Sequence, residues 1–182
     1  DLPLSRGLGD VYKRQANKLC GLNRPGHFDG VLTILNKFFS IINPSILILG
    51  KKDYQQFVLV KDFIKDKNLN IKTVGVETIR ERNGLAYSSR NTLLSNNNKS
   101  IASMLYKVLK DIELNKDVLS NDLLNTQIKY LTSNGFELDY LAVCDTESLE
   151  QSLDIYKKDL LVAIAAKLNN VRLIDNIVLT KL

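Results

Sequence analysis

The sequence has no tryptophan, one histidine, one methionine, two cysteines and three prolines among its 182 residues. A single histidine, His27, excludes any metal site built on a histidine pair within the chain. Cys20 and Cys144 lie far apart and show no Cys-x-x-Cys spacing, so neither a zinc knuckle nor a disulfide-stapled scaffold is encoded. The plain expectation is a reduced, cytoplasmic protein with two buried or incidental thiols. No apolar run approaches the ~18 residues that a membrane helix requires; the longest, such as 46–49 and 160–166, are short. Repeats, low-complexity tracts and a signal- or transit-peptide layout are also missing.

What is there suits a packed protein. Apolar residues make up 45% and charged residues 25%, enough to build a core for one domain, or one and a half. The excess of Lys and Arg gives a net charge of +5, compatible with nucleic acid, anionic lipid or a phosphorylated small substrate. The basic residues are scattered, however, and the densest cluster is Lys51-Lys52, so neither a nucleic-acid nor a membrane partner is expected. Residues 1–15 follow no helical or strand period. They resemble translated adapter sequence, with a natural N-terminal extension as the alternative, and are set aside from the fold.

The remainder alternates legibly. Apolar residues at 32, 35, 38, 39 and 42 predict a helix over 31–42, stopped at Asn43-Pro44. Residues 45–49, apolar throughout after Ser45, predict a strand buried on both faces of a parallel sheet. A helix over 54–65 and a strand over 71–76 follow, giving a βαβ order with a strand-to-helix turn at Gly50. Residues 77–98 are polar, with a turn at Asn83-Gly84. Ile101, Leu105, Val108, Leu109 and Ile112 predict one amphipathic helix capped near Ser95; Leu123, Leu124, Ile128 and Leu131 predict another, closed by Asn134-Gly135. Strands are predicted over 136–143, 160–166 and 171–179, the last two joined by Asn169-Asn170. The expected class is therefore α/β, with a βαβ unit over 16–76 and a small α+β unit over 77–182.

Three segments carry polar groups that a core does not need. Gly50, Lys51, Lys52 and Asp53 stand where a parallel strand ends and a helix begins, with Gln56 one turn on. Ligands bind at that edge of open α/β sheets, and free N–H groups at the helix start attract anions. A lysine there can neutralise phosphate and Asp53 can meet a ribose hydroxyl; alternatively the stretch is a solvated helix start with an Asp favoured by the macrodipole. Ser88, Ser89 and Arg90 form a compact donor cluster suited to phosphate oxygens, or else a Ser-rich turn. His27, following Arg24-Pro25-Gly26, reads more readily as a structural residue than as a catalyst.

Together the strings RPGHFDGV at 24–31, NPSILILGKKDYQQ at 43–56 and VGVETIRERNGLAYSSRN at 74–91 resemble the pantothenate synthetase (pantoate–β-alanine ligase) family. DLLVAIAAKLNNVRLIDN at 159–176 also fits, and the likeness runs from about Leu19 to the C-terminus. The resemblance implies a Rossmann-like nucleotidyltransferase domain followed by a small domain that closes over ATP. It further implies activation of pantoate to a pantoyl adenylate with release of pyrophosphate, then attack by β-alanine to give pantothenate and AMP. Mg2+ would accompany ATP, and a homodimer is implied.

By the same resemblance, Gly50, Lys51, Lys52 and Asp53 border the ATP ribose and phosphates, with Lys52 on the phosphates. Gln56 matches a pantoate-binding glutamine, and Ile79 a backbone contact to adenine. Tyr87, Ser88, Ser89 and Arg90 match a mobile phosphate-binding segment, analogous in role to the KMSKS loop of class I synthetases, with Ser88, Ser89 and Arg90 on the leaving pyrophosphate. Lys51 stands where the family usually has Glu. The family's H-x-G-H motif and a second pantoate-binding glutamine find no match in this sequence, so the chain as written is expected to be inactive and poorly stable. Another adenylate-forming enzyme of the same fold, or a non-catalytic nucleotide-binding remnant, is the alternative.

Overall fold

The computed structural model describes residues 15–182, so the segment expected to be foreign lies outside the described residues except for Gln15. The chain divides into two compact units, one ending at Glu77 and the other Thr78–Leu182.

In the first unit, helix α1 (His27–Ile42) precedes strand β1 (Ile46–Gly50), helix α2 (Tyr54–Asp66) and strand β2 (Lys72–Val76). Helix α1 begins four residues earlier than the apolar spacing predicts. Gly26, at φ +73°, turns the chain directly into it, and Phe28 joins its buried face. It ends as Asn43 takes a left-handed conformation (φ 48°) before Pro44. Strands β1 and β2 pair in parallel, Ile46 opposite Lys72 through Gly50 opposite Val76. Phe28, Leu32 and Phe39 of α1 share one buried cluster with Leu59, Val60 and Phe63 of α2. Each such side chain stabilises the unit by roughly 1.5–3 kcal/mol.

The expectation that β1 is buried on both faces fails. Leu47 and Leu49 pack onto this cluster, but Ile46 and Ile48 alternate with them and are 55% and 65% exposed. In a strand, successive side chains point to opposite faces, and the cluster covers only one.

The second unit places helices α3 (Asn96–Ala102), α4 (Met104–Leu114) and α5 (Asn121–Ser133) before strands β3 (Glu137–Asp145), β4 (Leu160–Leu168) and β5 (Val171–Leu179). The three strands form an antiparallel sheet in the order β3-β4-β5. Strands β4 and β5 join through Asn169 and Asn170 at φ 48° and 64°, the left-handed pair a tight type I′ hairpin demands. Helix α5 is capped by the Ser120 hydroxyl, which accepts from Leu123 N–H at 3.3 Å. It closes with Gly135 at φ +85°: Phe136 N–H reaches Leu131 O at 3.2 Å and Gly135 N–H reaches Thr132 O at 3.1 Å, a Schellman motif.

The single helix predicted around residues 101–112 is instead two. The Ser103 hydroxyl donates to Ser100 O at 2.7 Å, and that competing bond marks the break between α3 and α4. Leu105, Val108, Leu109 and Ile112 of α4 pack with Leu160, Val162 and Ile164 of β4 in the core of this unit.

Candidate functional site

In the first unit, β1 delivers Gly50 to the carboxyl edge of the parallel pair. Lys51–Asp53 form a single 3-10 turn, and α2 starts at Tyr54. The four candidate residues are thus contiguous at a strand end and a helix start, as the sequence suggests. Asp53 occupies the capping position of α2 but makes no side-chain cap bond. The N–H groups of the first turn of this 13-residue helix therefore do not donate to that side chain. The Asp53 carboxylate approaches Lys52 Nζ at 4.0 Å, and the Lys52 side chain is 18% exposed. Lys51 behaves differently. Its stem lies against Gly75, where an added β-carbon would stand 2.8 Å from Cε, and its ammonium pairs with Glu77. The extra positive charge at position 51 is thereby matched locally.

Two adjacent glutamines divide their work. Gln55 is buried. Its Oε1 accepts from Cys20 N–H at 3.0 Å, while its Nε2 donates to Gln15 O at 3.0 Å and Lys18 O at 2.7 Å. Gln15 in turn donates to Asp62 at 2.8 Å, so residue 15 is tied into the first unit. Gln56 is half-buried beside it, and the polar atoms of its side chain have no hydrogen-bond partner among the described residues. The structural part of Gln55 has no signal in the sequence, where either glutamine suits the start of a helix. His27 opens α1, with its ring 5.0 Å from that of Phe28.

In the second unit, residues 79–87 fold back on themselves. Tyr87 N–H reaches Ile79 O at 2.9 Å and Glu81 N–H reaches Leu85 O at 2.8 Å, with Gly84 at the tip. This hairpin holds Ile79 and Tyr87 side by side, 68% and 60% exposed. A 3-10 turn follows (Ser89–Leu93). The Ser88 hydroxyl accepts from Arg90 N–H at 3.2 Å, so Ser88 does cap a turn, as the structural alternative held. Ser89 and Arg90 are exposed on that turn, and Arg90 Nη1 touches Arg172 O at 3.5 Å. Ile79, Tyr87, Ser88, Ser89 and Arg90 are therefore brought onto one loop.

The frame of this loop is largely invisible in the sequence. Buried Asn91 donates to Glu81 Oε1 at 2.9 Å and to Ala86 O at 3.1 Å. Its Oδ1 is buried and unpartnered among the described residues. Arg80 forms an ion pair with Asp175 of β5 at 2.6 Å. A hint existed in Asp175: in the alternating run Val171, Leu173, Asp175, Ile177, Leu179, a carboxylate occupies an apolar register. Chemically, the first loop offers a lysine and backbone amides, and the second an arginine and hydroxyls; each is a donor set for phosphate oxygens.

The model of the family described as Pantoate-beta-alanine ligase matches residues 9–178, beginning inside the segment expected to be foreign. Pantothenate synthetase from Coprothermobacter proteolyticus is 40% identical over 178 residues, covering 93% of this chain and 62% of the relative. The enzyme of that name from Methylobacillus flagellatus is 43% identical over 168 residues, covering 89% and 59%. The crystal structure of pantothenate synthetase from Thermus thermophilus superposes with a TM-score of 0.85 at 32% identity, covering 92% of this chain and 61% of that one. The pantoate-beta-alanine ligase of Francisella tularensis, solved with β-γ ATP and β-alanine, gives 0.71 at 36% identity, covering 90% and 54%. The chain thus spans about 60% of the length of the curated relatives it matches.

Proposed function

The chain belongs to the pantoate–β-alanine ligase family, and from that membership we propose that it serves the ATP-dependent condensation of pantoate with β-alanine to pantothenate. In this reading the pantoate carboxylate attacks the α-phosphorus of ATP and pyrophosphate leaves with the β- and γ-phosphates. The β-alanine amine then attacks the acyl carbon of the pantoyl adenylate, AMP departs with the bond electrons, and the amine loses its proton. Splitting the reaction turns a poor electrophile into a mixed anhydride, so the protein's task is to orient reactants and hold phosphate charge. Residues 16–76 belong to the Rossmann-like catalytic domain in this proposal, and 77–182 to the domain that closes over ATP.

The observation that carries the reading is the arrangement at the end of β1. Lys52 is largely enclosed beside a helix start whose Asp53 carboxylate is not spent on a cap. Lys52 neutralises the phosphates, Asp53 meets the ribose, and Gly50 and Lys51 complete that border. Gln56, not engaged by the fold, takes pantoate. Ile79 offers its backbone to adenine beside Tyr87, and Ser88, Ser89 and Arg90 receive the pyrophosphate. The guanidinium fork matches phosphate oxygens in geometry as well as charge.

ATP enters as the Mg2+ complex, its substrate form. Among the described residues no group of three or more His, Cys, Asp or Glu is placed to hold a metal ion. No described helix is long and apolar enough to cross a membrane. The working form in this reading is a cytoplasmic homodimer that binds neither nucleic acid nor membrane.

Pantoate-dependent exchange of pyrophosphate into ATP, measured in a protein of the relatives' full length that carries these residues, tests this. Lys52→Ala and Arg90→Ala should each slow exchange by roughly 10²–10³-fold, the scale of losing one donor to developing charge. Gln56→Ala should act mainly by raising KM for pantoate. Exchange driven equally well by other hydroxy acids would reassign the substrate, and an Arg90→Ala variant with unchanged kinetics would remove the pyrophosphate role.

A further inference from the structure

Strand β5 presents Val171, Leu173, Asp175, Ile177 and Leu179 on one face, and the four apolar members pack in or against the core. Asp175 sits in their row with a side chain 3% exposed. A carboxylate there without compensation would be among the least tolerable groups in the unit. Arg80 compensates it with both prongs of its fork: Nη1 donates to Oδ2 at 2.6 Å and Nη2 to Oδ1 at 2.9 Å. The same guanidinium donates to Gly84 O at 3.1 Å, at the tip of its own hairpin, and lies 3.7 Å over the Tyr106 ring of α4. One side chain therefore grips a strand, a helix and a turn.

A well-packed apolar pair can replace a buried ion pair with little loss of stability, and sometimes with a gain. What such a pair does not reproduce is direction: a bidentate fork fixes the plane and approach of the guanidinium. The direction matters because of what hangs on it. Arg80 stands between the two hydrogen bonds that close the hairpin, Tyr87 to Ile79 and Glu81 to Leu85. The strand leaving that hairpin runs straight into Ser88, Ser89 and Arg90, with Asn91 bonded back to Glu81 and Ala86. Every candidate nucleotide-facing group of the second unit is thus suspended from the segment that Arg80 pins.

We infer that Arg80 and Asp175 are a positioning pair for the nucleotide loop: their fork sets where Ile79, Tyr87 and the Ser88-Ser89-Arg90 turn meet ATP. Neither touches the nucleotide. The inference rests on the ATP reading above and adds two residues which that reading does not use.

Two measurements on the full chain test it: amide hydrogen exchange, and ATP affinity by calorimetry. Asp175→Asn should speed exchange at residues 79–91 by about tenfold or more while β3 and β4 keep their protection, and should weaken ATP binding by roughly 10–100-fold, the scale of a misplaced binding group. The double variant Arg80→Met with Asp175→Leu separates position from stability, and it carries the test if Asp175→Asn does not fold. Its melting temperature should return toward wild type while ATP affinity stays low. Affinity that returns together with stability assigns the pair a merely structural role and overturns the inference. Wild-type binding with both variants unaffected overturns it alone, whereas a wild-type chain that takes up no ATP overturns the nucleotide reading and this inference with it.

Discussion

A β-carbon at Gly84 would stand 2.6 Å from Cδ1 of Tyr106, and the residue holds φ at +92°. Two separate constraints therefore fall on one atom that is absent. The backbone there suits only glycine, and the ring that carries the Arg80 guanidinium leaves no room for a methyl group. Gly84→Ala should cost about 2–4 kcal/mol, combining left-handed strain with overpacking, and urea unfolding would read it directly. A midpoint within error of wild type would mean that the hairpin tip relaxes freely. The turn itself is legible in the sequence as Asn83-Gly84, because Gly after Asn is a local signal. The Tyr106 contact is not, since it depends on packing between residues distant in the chain. Gln55 and Gln56 repeat the contrast. Both look equally available in sequence, and the backbone carbonyls of Gln15 and Lys18 with the Cys20 N–H decide which one is taken.

At the scale of the element, the exit of β3 is held by one carboxylate. Burial by itself would raise the Asp145 carboxyl. Hydrogen bonds from the Ser148 N–H (2.6 Å) and hydroxyl (2.7 Å), from Lys158 (2.9 Å) and from the Glu147 N–H (3.2 Å) outweigh it and hold the group well below the usual carboxylate range. A depressed folded-state pKa contributes stability that is complete above the unfolded value, near 3.9, and is lost as pH falls below it toward the folded value. Urea midpoints measured from pH 7 down to pH 3 should therefore drop at the acid end. In Asp145→Asn the loss should already be present at pH 7, at about 1–2 kcal/mol, with a flatter acid limb. A variant with the same acid slope as wild type would place the titration elsewhere. Elements with local punctuation, such as the Schellman close of α5 and the Asn169-Asn170 hairpin, are readable from sequence because a few adjacent residues determine them. The break at Ser103 and the exposed face of β1 are not. One turns on a single hydroxyl choosing its acceptor, and the other on how much of the sheet is covered.

For the molecule as a whole, the two units differ in how much they bury. Among the described residues, twenty form the second unit's buried core, against seven in the first. In the first unit Ile34, Phe38 and Ile41 of α1 remain exposed, as do Ile46 and Ile48 of β1. Local stability follows buried apolar contact, so opening should be uneven. Amides of β4 should exchange roughly 100-fold or more slowly than those of β1, a gap of about 3 kcal/mol. Equal protection across both would mean that the chain opens only as one cooperative body. The division into an α/β unit and an α+β unit is legible because periodicity changes from one to the other; the unequal cores are not, because burial depends on partners that sequence spacing does not count. The Asn169-Asn170 turn also reaches further than its own two residues. Hairpin tips are the usual places where a chain accepts inserted residues. Here the tip is a ruler: with two residues it seats Asp175 opposite Ile164, and a shift of one would carry all of β5 to its other face. The carboxylate that Arg80 grips would then point away from it, so the aim of a loop far earlier in the chain is measured out by two asparagines, and an epitope or tag spliced there that shifted the register would disarm the site.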